Sequence, residues 1–368
     1  MEFKIQRDSF LKGLQTIIGV ISKRNTIAIA MNVFIQLKNN ILFITATDFE
    51  IEIATKIVVL SGKDGSTTLS AKKLLDICKN LTEKSEIIFI LDKNKNQGII
   101  ISNQTSFKLC TTPIKEFPNM KNIKTIQILK ISSHLILFLF KKTYFSMAKK
   151  DVRYFLNGLL FEIGNNYIRS IATDGHRMAV SSIFIKNNEK NKKKIIIPRK
   201  TVLEIIRLIH KEKSEINIFC SENHFKIETA NYSLTSKLIE GNYPDYNSII
   251  SADFKNILTV ESDLIKASLN RISILSDQKY KSVRMYISNN SLSLFAKNLE
   301  QEIAKDKLKI LYQGKSIEIG FNINYLLDVL NVIENDTIQI LFTDSYHSVL
   351  IKDKKNINNI YIIMPIKL

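Results

Sequence analysis

Hydrophobic and polar positions follow two different periods along the chain, and the same order of periods recurs three times. Each occurrence opens with a short alternating stretch and then apolar residues at helical spacing behind a Ser or Asp: "FKIQRDSFLKGL", "IQILKISSHLIL" and "ILTVESDLIKAS". Alternation with period two favours a strand, and Ser or Asp before an apolar helical run favours a capped helix start. The pattern therefore predicts a strand and a capped helix at the beginning of each unit.

The remainder of each unit also follows one order. Two alternating stretches joined by a turn predict an antiparallel hairpin, a second helix follows, and two more strands close the unit. The second helix is predicted in "SAKKLLDICKNL", "PRKTVLEIIRLIH" and "FNINYLLDVL". The prediction is an α+β protein of three similar domains, 1–124, 125–251 and 252–368, each with antiparallel sheet and two helices. Alignment of the units also places a helix at 133–145, although β-propensity favours a strand there.

Two columns of residues fix the length of the repeat. One column holds the Asp or Asn of a predicted hairpin turn, at spacings of 126 and 124 residues: Asp48, Asp174 and Asn298. The other holds a helical Leu followed by an acidic residue, at spacings of 128 and 124 residues: Leu75, Leu203 and Leu327. Two columns that agree to within a few residues indicate an internal triplication.

Composition narrows the class of protein. With 368 residues, 45% of them hydrophobic, two or three domains with real cores are expected. The formal charge of +18 fits a nucleic-acid partner, but a chain rich in Ile, Lys and Asn also acquires lysines by compositional bias. No apolar run reaches membrane-spanning length, no signal peptide is evident, and three widely spaced cysteines suit a reduced cytoplasm.

The stretch "IATDGHRMAV" (171–180) groups Asp174, His176 and Arg177 beside a glycine, which is a candidate acid–base centre. The counterpart in the first unit, "ATDFE", has the aspartate without histidine or arginine, so the shared Thr-Asp favours turn chemistry. No Gly-rich phosphate loop or metal-ligand spacing accompanies it, and no cofactor is expected. Two alternatives stay open: a hydrolase built on Asp174 and His176, and a general basic nucleic-acid binder.

The chain ends with the apolar segment "IYIIMPIKL". We expect it to belong to a sheet as far as Ile363, after which Met364 and Pro365 turn it out of the sheet. Methionine and branched aliphatic residues are an adaptable lining for a peptide groove, and a last core strand is the alternative.

Together with the triple repeat, the motifs "ATDGHRMAV", "DVRYFLNGLLFE", "LIEGNYPDY" and "YIIMPIKL" resemble the bacterial sliding clamps, the beta subunit of the DNA polymerase III holoenzyme. The resemblance covers the whole chain. It implies a non-catalytic head-to-tail homodimeric ring of six domains, with sheets outside and helices around double-stranded DNA. It also implies that a separate ATP-driven clamp loader opens the ring, and that the ring tethers the polymerase without reading DNA sequence.

The resemblance assigns roles to residues by motif. Its DNA-contacting positions fall on Arg24, Lys72, Lys150, Tyr154 and Phe155. The predicted helices supply further cations: Lys12, Lys73, Lys79, Lys141, Lys142, Arg199, Lys200, Arg207, Lys266 and Arg271. Its subunit contacts fall on Phe107 and Leu109 against Ile274 and Leu275, with Lys73 pairing with Glu300 or Glu302.

The resemblance further implies one groove that binds short extended peptides of the polymerase alpha subunit, the clamp loader, other DNA polymerases and repair proteins. Its residues are Leu156, Thr173, Gly175, His176, Arg177, Met178, Pro244, Ser248, Ile249, Tyr346, Ser348, Ile362, Ile363, Met364, Pro365, Ile366, Lys367 and Leu368. Two of them depart from the family pattern, since Ser248 replaces a common arginine and Tyr346 occupies a small aliphatic position.

Overall fold

A computed structural model describes residues 1–21, 28–118, 126–185, 192–210, 214–250, 254–353 and 358–367. The predicted DNA contact Arg24 and the predicted groove residue Leu368 lie outside the described residues.

The described part of the first repeat has nine strands and two α-helices. Its strands are β1 (Glu2–Gln6), β2 (Asn32–Lys38), β3 (Ile41–Thr47), β4 (Ile51–Val58), β5 (Ser61–Lys63), β6 (Gly65–Ser70), β7 (Glu86–Asp92), β8 (Gln97–Ser102) and β9 (Thr105–Thr112). Its helices are α1 (Arg7–Ile17) and α2 (Ala71–Asn80).

The second repeat has the same order without a counterpart of β5 in its described part. Its strands are β10 (Ile126–Ser132), β11 (Gly158–Ile163), β12 (Tyr167–Thr173), β13 (Arg177–Phe184), β14 (Lys193–Pro198), β15 (Glu215–Cys220), β16 (His224–Glu228) and β17 (Tyr232–Lys237). Its helices are α3 (Ser133–Thr143) and α4 (Arg199–Ile209), and one helical turn follows, α5 (Asn247–Ile250).

The third repeat completes the chain. Its strands are β18 (Asn256–Glu261), β19 (Ser282–Ser288), β20 (Ser291–Lys297), β21 (Ile303–Lys309), β22 (Ile317–Asn322), β23 (Thr337–Phe342), β24 (Val349–Asp353) and β25 (Asn359–Ile363). Its helices are α6 (Ser262–Ser273) and α7 (Ile323–Val332). The two helices per repeat are as predicted, including α3, where propensity favoured a strand.

The predicted number of strands was too low. In the second and third repeats four strands, not two, separate the helices, and three strands, not two, follow the second helix. The missed strands include β11, whose six residues are all buried. A strand buried on both faces has no alternation for a period-two search to find.

The predicted side-chain caps of α1 and α6 were wrong. The cap positions of α1 and α6 are Gln6 and Glu261, and neither makes a side-chain capping bond. In each repeat the first helical N–H donates instead to a carbonyl of the segment before the third-last strand. These backbone bonds are Arg7 to Ser85 (2.9 Å), Ser133 to Ser214 (3.1 Å) and Ser262 to Asp336 (2.8 Å). A backbone carbonyl thus satisfies the donor that a side chain would otherwise cap.

The described chain divides into two compact units. One comprises Met1–His134 and Leu203–Leu238, and the other Leu135–Val202 and Ile239–Leu368. The first contains an antiparallel sheet in the order β10-β15-β16-β17-β4-β3-β2-β6-β9-β8-β7-β1-β5. The second contains β14-β11-β12-β13-β25-β24-β23-β18 and the smaller sheet β21-β20-β19-β22. Strand pairing therefore continues from one repeat into the next, through β17 with β4 and β13 with β25.

The eight-stranded sheet carries an apolar cluster on each face. On one face Ala179, Tyr361 and Ile363 belong to the large core that also contains residues of α6 and α7. On the opposite face Met178, Val180 and Ile362 belong to a separate cluster. Alternate residues of β13 and β25 therefore belong to two different apolar clusters, and the second cluster contains predicted groove residues.

Candidate functional site

The Thr-Asp pair at 173–174 forms a hairpin turn, as the sequence predicted. Asp174 Oδ1 accepts from the backbone N–H groups of His176 (2.9 Å) and Arg177 (3.0 Å). Thr173 Oγ1 accepts from the N–H of Gly175 (3.1 Å), whose φ is +88°. The aspartate is therefore committed to the backbone, and glycine suits the left-handed position at the tip.

Arg177 is the most extensively bound side chain of this turn. It is 10% exposed and pairs with Asp174 (3.1 Å) and with Asp328 of α7 (2.5 Å). It also donates to the carbonyl of Phe145 (2.7 Å), and its guanidinium lies 4.4 Å from the Tyr325 ring centroid. Its planar group thus ties the second-repeat turn to a third-repeat helix.

His176 and Gly175 are exposed beside a second ion pair. Arg153 pairs with Asp151 (3.0 Å) and donates to the carbonyl of Asp174 (3.3 Å). Hydrogen bonds from the Arg153 side chain and backbone lower the pKa of Asp151 to about 2. A carboxylate held ionised in this way is a poor general acid or base near neutral pH.

A row of side chains forms an apolar floor next to the turn. Met178 of β13 is in register with Thr173 on one side and Ile362 on the other, and Ile362 is in turn opposite Leu350. Met178, Ile362 and Leu350 are buried members of one cluster. Leu156, also predicted for the groove, is buried in the 3-10 turn 154–157.

The end of the chain leaves the sheet where predicted. Ile363 is the last residue of β25, and the N–H of Met364 then donates to the carbonyl of His176 (2.9 Å). Ile366 bonds to the backbone of Gly320, while Pro365 is half-buried and Lys367 is exposed. The tail therefore runs beside the Gly175–His176 tip and presents Met364 to solvent.

Residues 243–250 cover part of the same apolar face. The Tyr243 hydroxyl accepts from the N–H of Thr173 (3.1 Å), and Tyr243, Tyr246 and Ile250 pack on the cluster that contains Met178. Pro244, Ser248 and Ile249 are exposed along this segment.

A last turn carries two further predicted residues. Asp344 Oδ1 accepts from the N–H groups of Tyr346 (2.8 Å) and His347 (2.9 Å), which leaves the Tyr346 side chain 76% exposed. Ser348 is half-buried immediately before Val349, the residue opposite Ile363. The structure thus places the turn, the C-terminal tail, the 243–250 segment and the start of β24 around one apolar surface.

The predicted DNA contacts differ in exposure. Lys72, Lys150 and Tyr154 are exposed, whereas Phe155 is half-buried and packs on the Met178 cluster. Several of the helical cations are engaged within the chain. Lys142 pairs with Glu334, Arg199 donates to the carbonyls of Tyr144 and Met147, Arg207 pairs with Glu204, and Arg271 pairs with Asp306.

Two of the predicted subunit contacts, Phe107 and Leu109, lie on an incompletely paired strand. Among the described strands, β9 pairs with β8 from Thr105 to Cys110 and with β6 only at Thr111 and Thr112, and β21 pairs only with β20. Phe107 and Leu109 of β9 are half-buried. Ile274 is 78% exposed after α6, Leu275 is half-buried, and Lys73, Glu300 and Glu302 are exposed.

Sequence reasoning missed the residues that support the groove from outside. Asp328, the partner of Arg177, follows Leu327 and so belongs to the acidic column of the repeat, which was a usable signal. Glu162 and Tyr246 are the last residues of the motifs "DVRYFLNGLLFE" and "LIEGNYPDY", but their bonds to each other and to Arg169 had no local signal, because those bonds depend on the tertiary fold.

No group of three or more potential metal ligands occurs within the part of the chain described above, and no helix there is long and apolar enough to cross a bilayer. The three repeats and their sheet topology define a triplicated DNA-clamp architecture, and an apolar surface lies beside the turn at Gly175–Met178.

Comparison with known proteins agrees with this class. The chain matches the DNA polymerase III beta subunit N-terminal domain over residues 1–121, the central domain over 130–245 and the C-terminal domain over 247–367. It is 36% identical to the Beta sliding clamp of Haemophilus influenzae and 35% to that of Escherichia coli K12, each over 100% of both chains. The DNA polymerase III subunit beta of Pseudomonas aeruginosa superposes with a TM-score of 0.96 at 33% identity, covering 100% of both chains.

The chain therefore belongs to the DNA polymerase III beta subunit family. It is a DNA sliding clamp of replication, a processivity subunit and not an enzyme.

Proposed function

We propose that two copies of this chain pair head to tail into a closed ring around double-stranded DNA, and that each copy docks partner proteins in the groove at Gly175–Met178. The domains are 1–124, 125–251 and 252–368, the location is the cytoplasm, and the partners are the polymerase alpha subunit, the clamp loader, and other polymerases and repair proteins.

The observation that carries the ring is the pair of strand edges at β9 and β21. An edge with free backbone groups is a ready site for another strand. Phe107 and Leu109 lie on one of these edges, and exposed Ile274 lies in the repeat that carries the other. Placing β9 of one subunit against β21 of the next continues the sheet and covers these apolar side chains. Lys73 would then face Glu300 or Glu302.

Loose phosphate contacts suit a ring that must slide. Exposed Lys72, Lys150 and Tyr154 can approach the DNA backbone without reading base edges, as sequence-independent binding requires. The cations held in internal pairs, such as Lys142 and Arg271, contribute less, because their charge is already neutralised by a carboxylate.

Ring closure is tested by retention on DNA. The chain is loaded on nicked circular DNA with clamp loader and ATP, and half of the sample is then linearised. We expect retention on circles and rapid loss from linear DNA, and we expect Ile274→Asp to abolish both dimer and retention. Equal retention on circular and linear DNA contradicts encirclement and favours a general basic binder.

The groove proposal rests on an apolar floor with a polar rim. Met178 and Ile362 provide the floor, and His176 and the tail beyond Ile363 provide the rim, which suits Leu or Phe anchors of an extended peptide. A Pseudomonas aeruginosa sliding clamp with TM-score 0.95 and 34% identity has been crystallised bound to griselimycin. We propose that griselimycin and partner peptides compete for this groove here.

Removal of Met364–Leu368 tests the groove. The truncation leaves every described β25 pair intact and deletes the bonds of Met364 to His176 and of Ile366 to Gly320. We expect a folded dimer with at least tenfold weaker binding of a labelled polymerase alpha-subunit peptide, measured by fluorescence anisotropy. Undiminished affinity overturns the assignment.

A further inference from the structure

A row of polar residues lies on the face of the eight-stranded sheet that carries the apolar cluster containing Met178. Strand register places Lys194, Glu162, Arg169 and Ser182 side by side on β14, β11, β12 and β13. Two residues along each strand, the matching positions belong to the apolar cluster: Ile196, Leu160, Ile171 and Val180. The polar row is therefore a boundary of the groove floor.

Glu162 is the centre of this row. Its side chain is 8% exposed, and it accepts from the hydroxyls of Tyr246 (2.5 Å) and Tyr167 (3.3 Å) while pairing with Lys194 (3.1 Å). Burial opposes its ionisation, but the bonds from Tyr246 and Lys194 outweigh that and lower its pKa. Removing a donor from so buried a carboxylate is costlier than removing one at the surface.

Tyr246 is bound from two sides. Its hydroxyl donates to Glu162 and accepts from Arg169 (3.2 Å), and Arg169 is itself fixed by a bond to Ser182 (2.9 Å). Burial and the Glu162 bond raise the pKa of Tyr246 to about 12, so it donates at any physiological pH.

The fixed tyrosine opens the turn that carries groove residues. Its carbonyl accepts from the N–H of Ile250 (3.3 Å), which closes the helical turn α5 over exposed Ser248 and Ile249. At the other end of the segment Tyr243 is fixed to the backbone of Thr173. The segment from 243 to 250 is thus anchored by two tyrosines, Tyr243 at its start and Tyr246 directly before α5.

We propose that Glu162 and Arg169 are positioning residues for the peptide groove, which act through the Tyr246 hydroxyl to hold the 247–250 turn where a docked peptide meets Ser248 and Ile249. This rests on the proposed function of the groove. Neither charged residue touches the peptide. They restrict the conformations of the 247–250 turn before binding, so that the peptide does not lose affinity by having to order this turn.

The test compares the loss of two tyrosine hydroxyls that bind the same carboxylate. Tyr246→Phe and Tyr167→Phe each delete a donor to the same carboxylate, but only Tyr246 lies on the groove wall. We expect Tyr246→Phe to weaken binding of the labelled alpha-subunit peptide about tenfold, or about 1.4 kcal/mol, and Tyr167→Phe to change it less than twofold. Amide hydrogen exchange should rise at 247–250 in Tyr246→Phe alone.

A double substitution separates positioning from general destabilisation. If Glu162 acts through Tyr246, the double variant Glu162→Gln/Tyr246→Phe should bind the peptide no more weakly than the weaker-binding single variant. Less of each groove-weakened variant should be loaded on circular DNA, because the clamp loader docks in the same groove, but the lifetime on the circle after loading should be unchanged in all variants.

Equal losses in both Tyr variants, additive losses in the double variant, or unaltered affinity in Tyr246→Phe each overturn the inference. Failure of the unsubstituted chain to bind the peptide overturns the groove itself.

Discussion

The turns at Asp48 and Asp174 have the same backbone conformation but different side-chain surroundings. In both, the aspartate Oδ1 accepts from the N–H groups two and three residues ahead, and the preceding threonine accepts from the residue at the tip. The tip is left-handed in both, at Phe49 (φ +74°) and Gly175 (φ +88°). The third copy, at Asn298, accepts from Glu302 in the same manner with one more residue in the turn.

The difference between these turns lies at the position three residues after the aspartate. In the first repeat this is Ile51, a core residue, and in the second it is Arg177, which connects the turn to Asp328 and Tyr325. The second-repeat turn thus differs from the first by a single planar cation with partners on another repeat. Asp174 and Arg177, two of the side chains that suggested catalysis, hold the turn in place.

The largest expected effect comes from removing that cation. Arg177→Ala leaves Asp174 and Asp328 without their partner and removes the stacking on Tyr325. Because Asp328 is 39% exposed, we discount the penalty for a fully buried pair and expect a loss of about 2–4 kcal/mol in urea unfolding. Arg207→Ala is the matched control, since Arg207 also binds a carboxylate and carbonyls but is 38% exposed, and it should cost about 1 kcal/mol. Equal losses would show that the Arg177 cluster adds nothing to the turn.

Whether an interaction could be predicted depends on how far apart its residues are in the sequence. The Asp48 and Asp174 turns were predictable because all their bonds lie within four residues. The pairing of Arg177 with Asp328 spans 151 positions, so it required the register of β13 and β25 and the place of α7. Lys142 was likewise predicted as one of the helical cations available to DNA, yet tertiary packing buries it and Glu334 pairs with it.

A smaller effect separates the two aspartates. Asp48→Ala and Asp174→Ala each free two backbone N–H groups, which costs about 1–2 kcal/mol. Asp174→Ala also removes one partner of Arg177, so it should cost about 1 kcal/mol more and weaken peptide binding, whereas Asp48→Ala should leave peptide binding unchanged. Unfolding curves and anisotropy on both variants measure this. Weakened peptide binding in Asp48→Ala would mean that the turn, and not its surroundings, makes the groove.

The smallest effect concerns Asp151, another addition around the second turn. Its folded pKa of about 2 lies below the ordinary value of 3.8, so its ionised form contributes stability above about pH 4 and loses it as pH falls through about 2. Arg153→Gln removes the side-chain bond, which is the largest cause, and retains the backbone bond from residue 153. The pKa should therefore rise toward 3.8 without reaching it, as followed by carboxyl NMR over a pH range that begins below the folded pKa and ends above 3.8. An unchanged titration would show that Arg153 does not hold this carboxylate, and the contact of Arg153 with the Asp174 carbonyl would then be incidental to the groove.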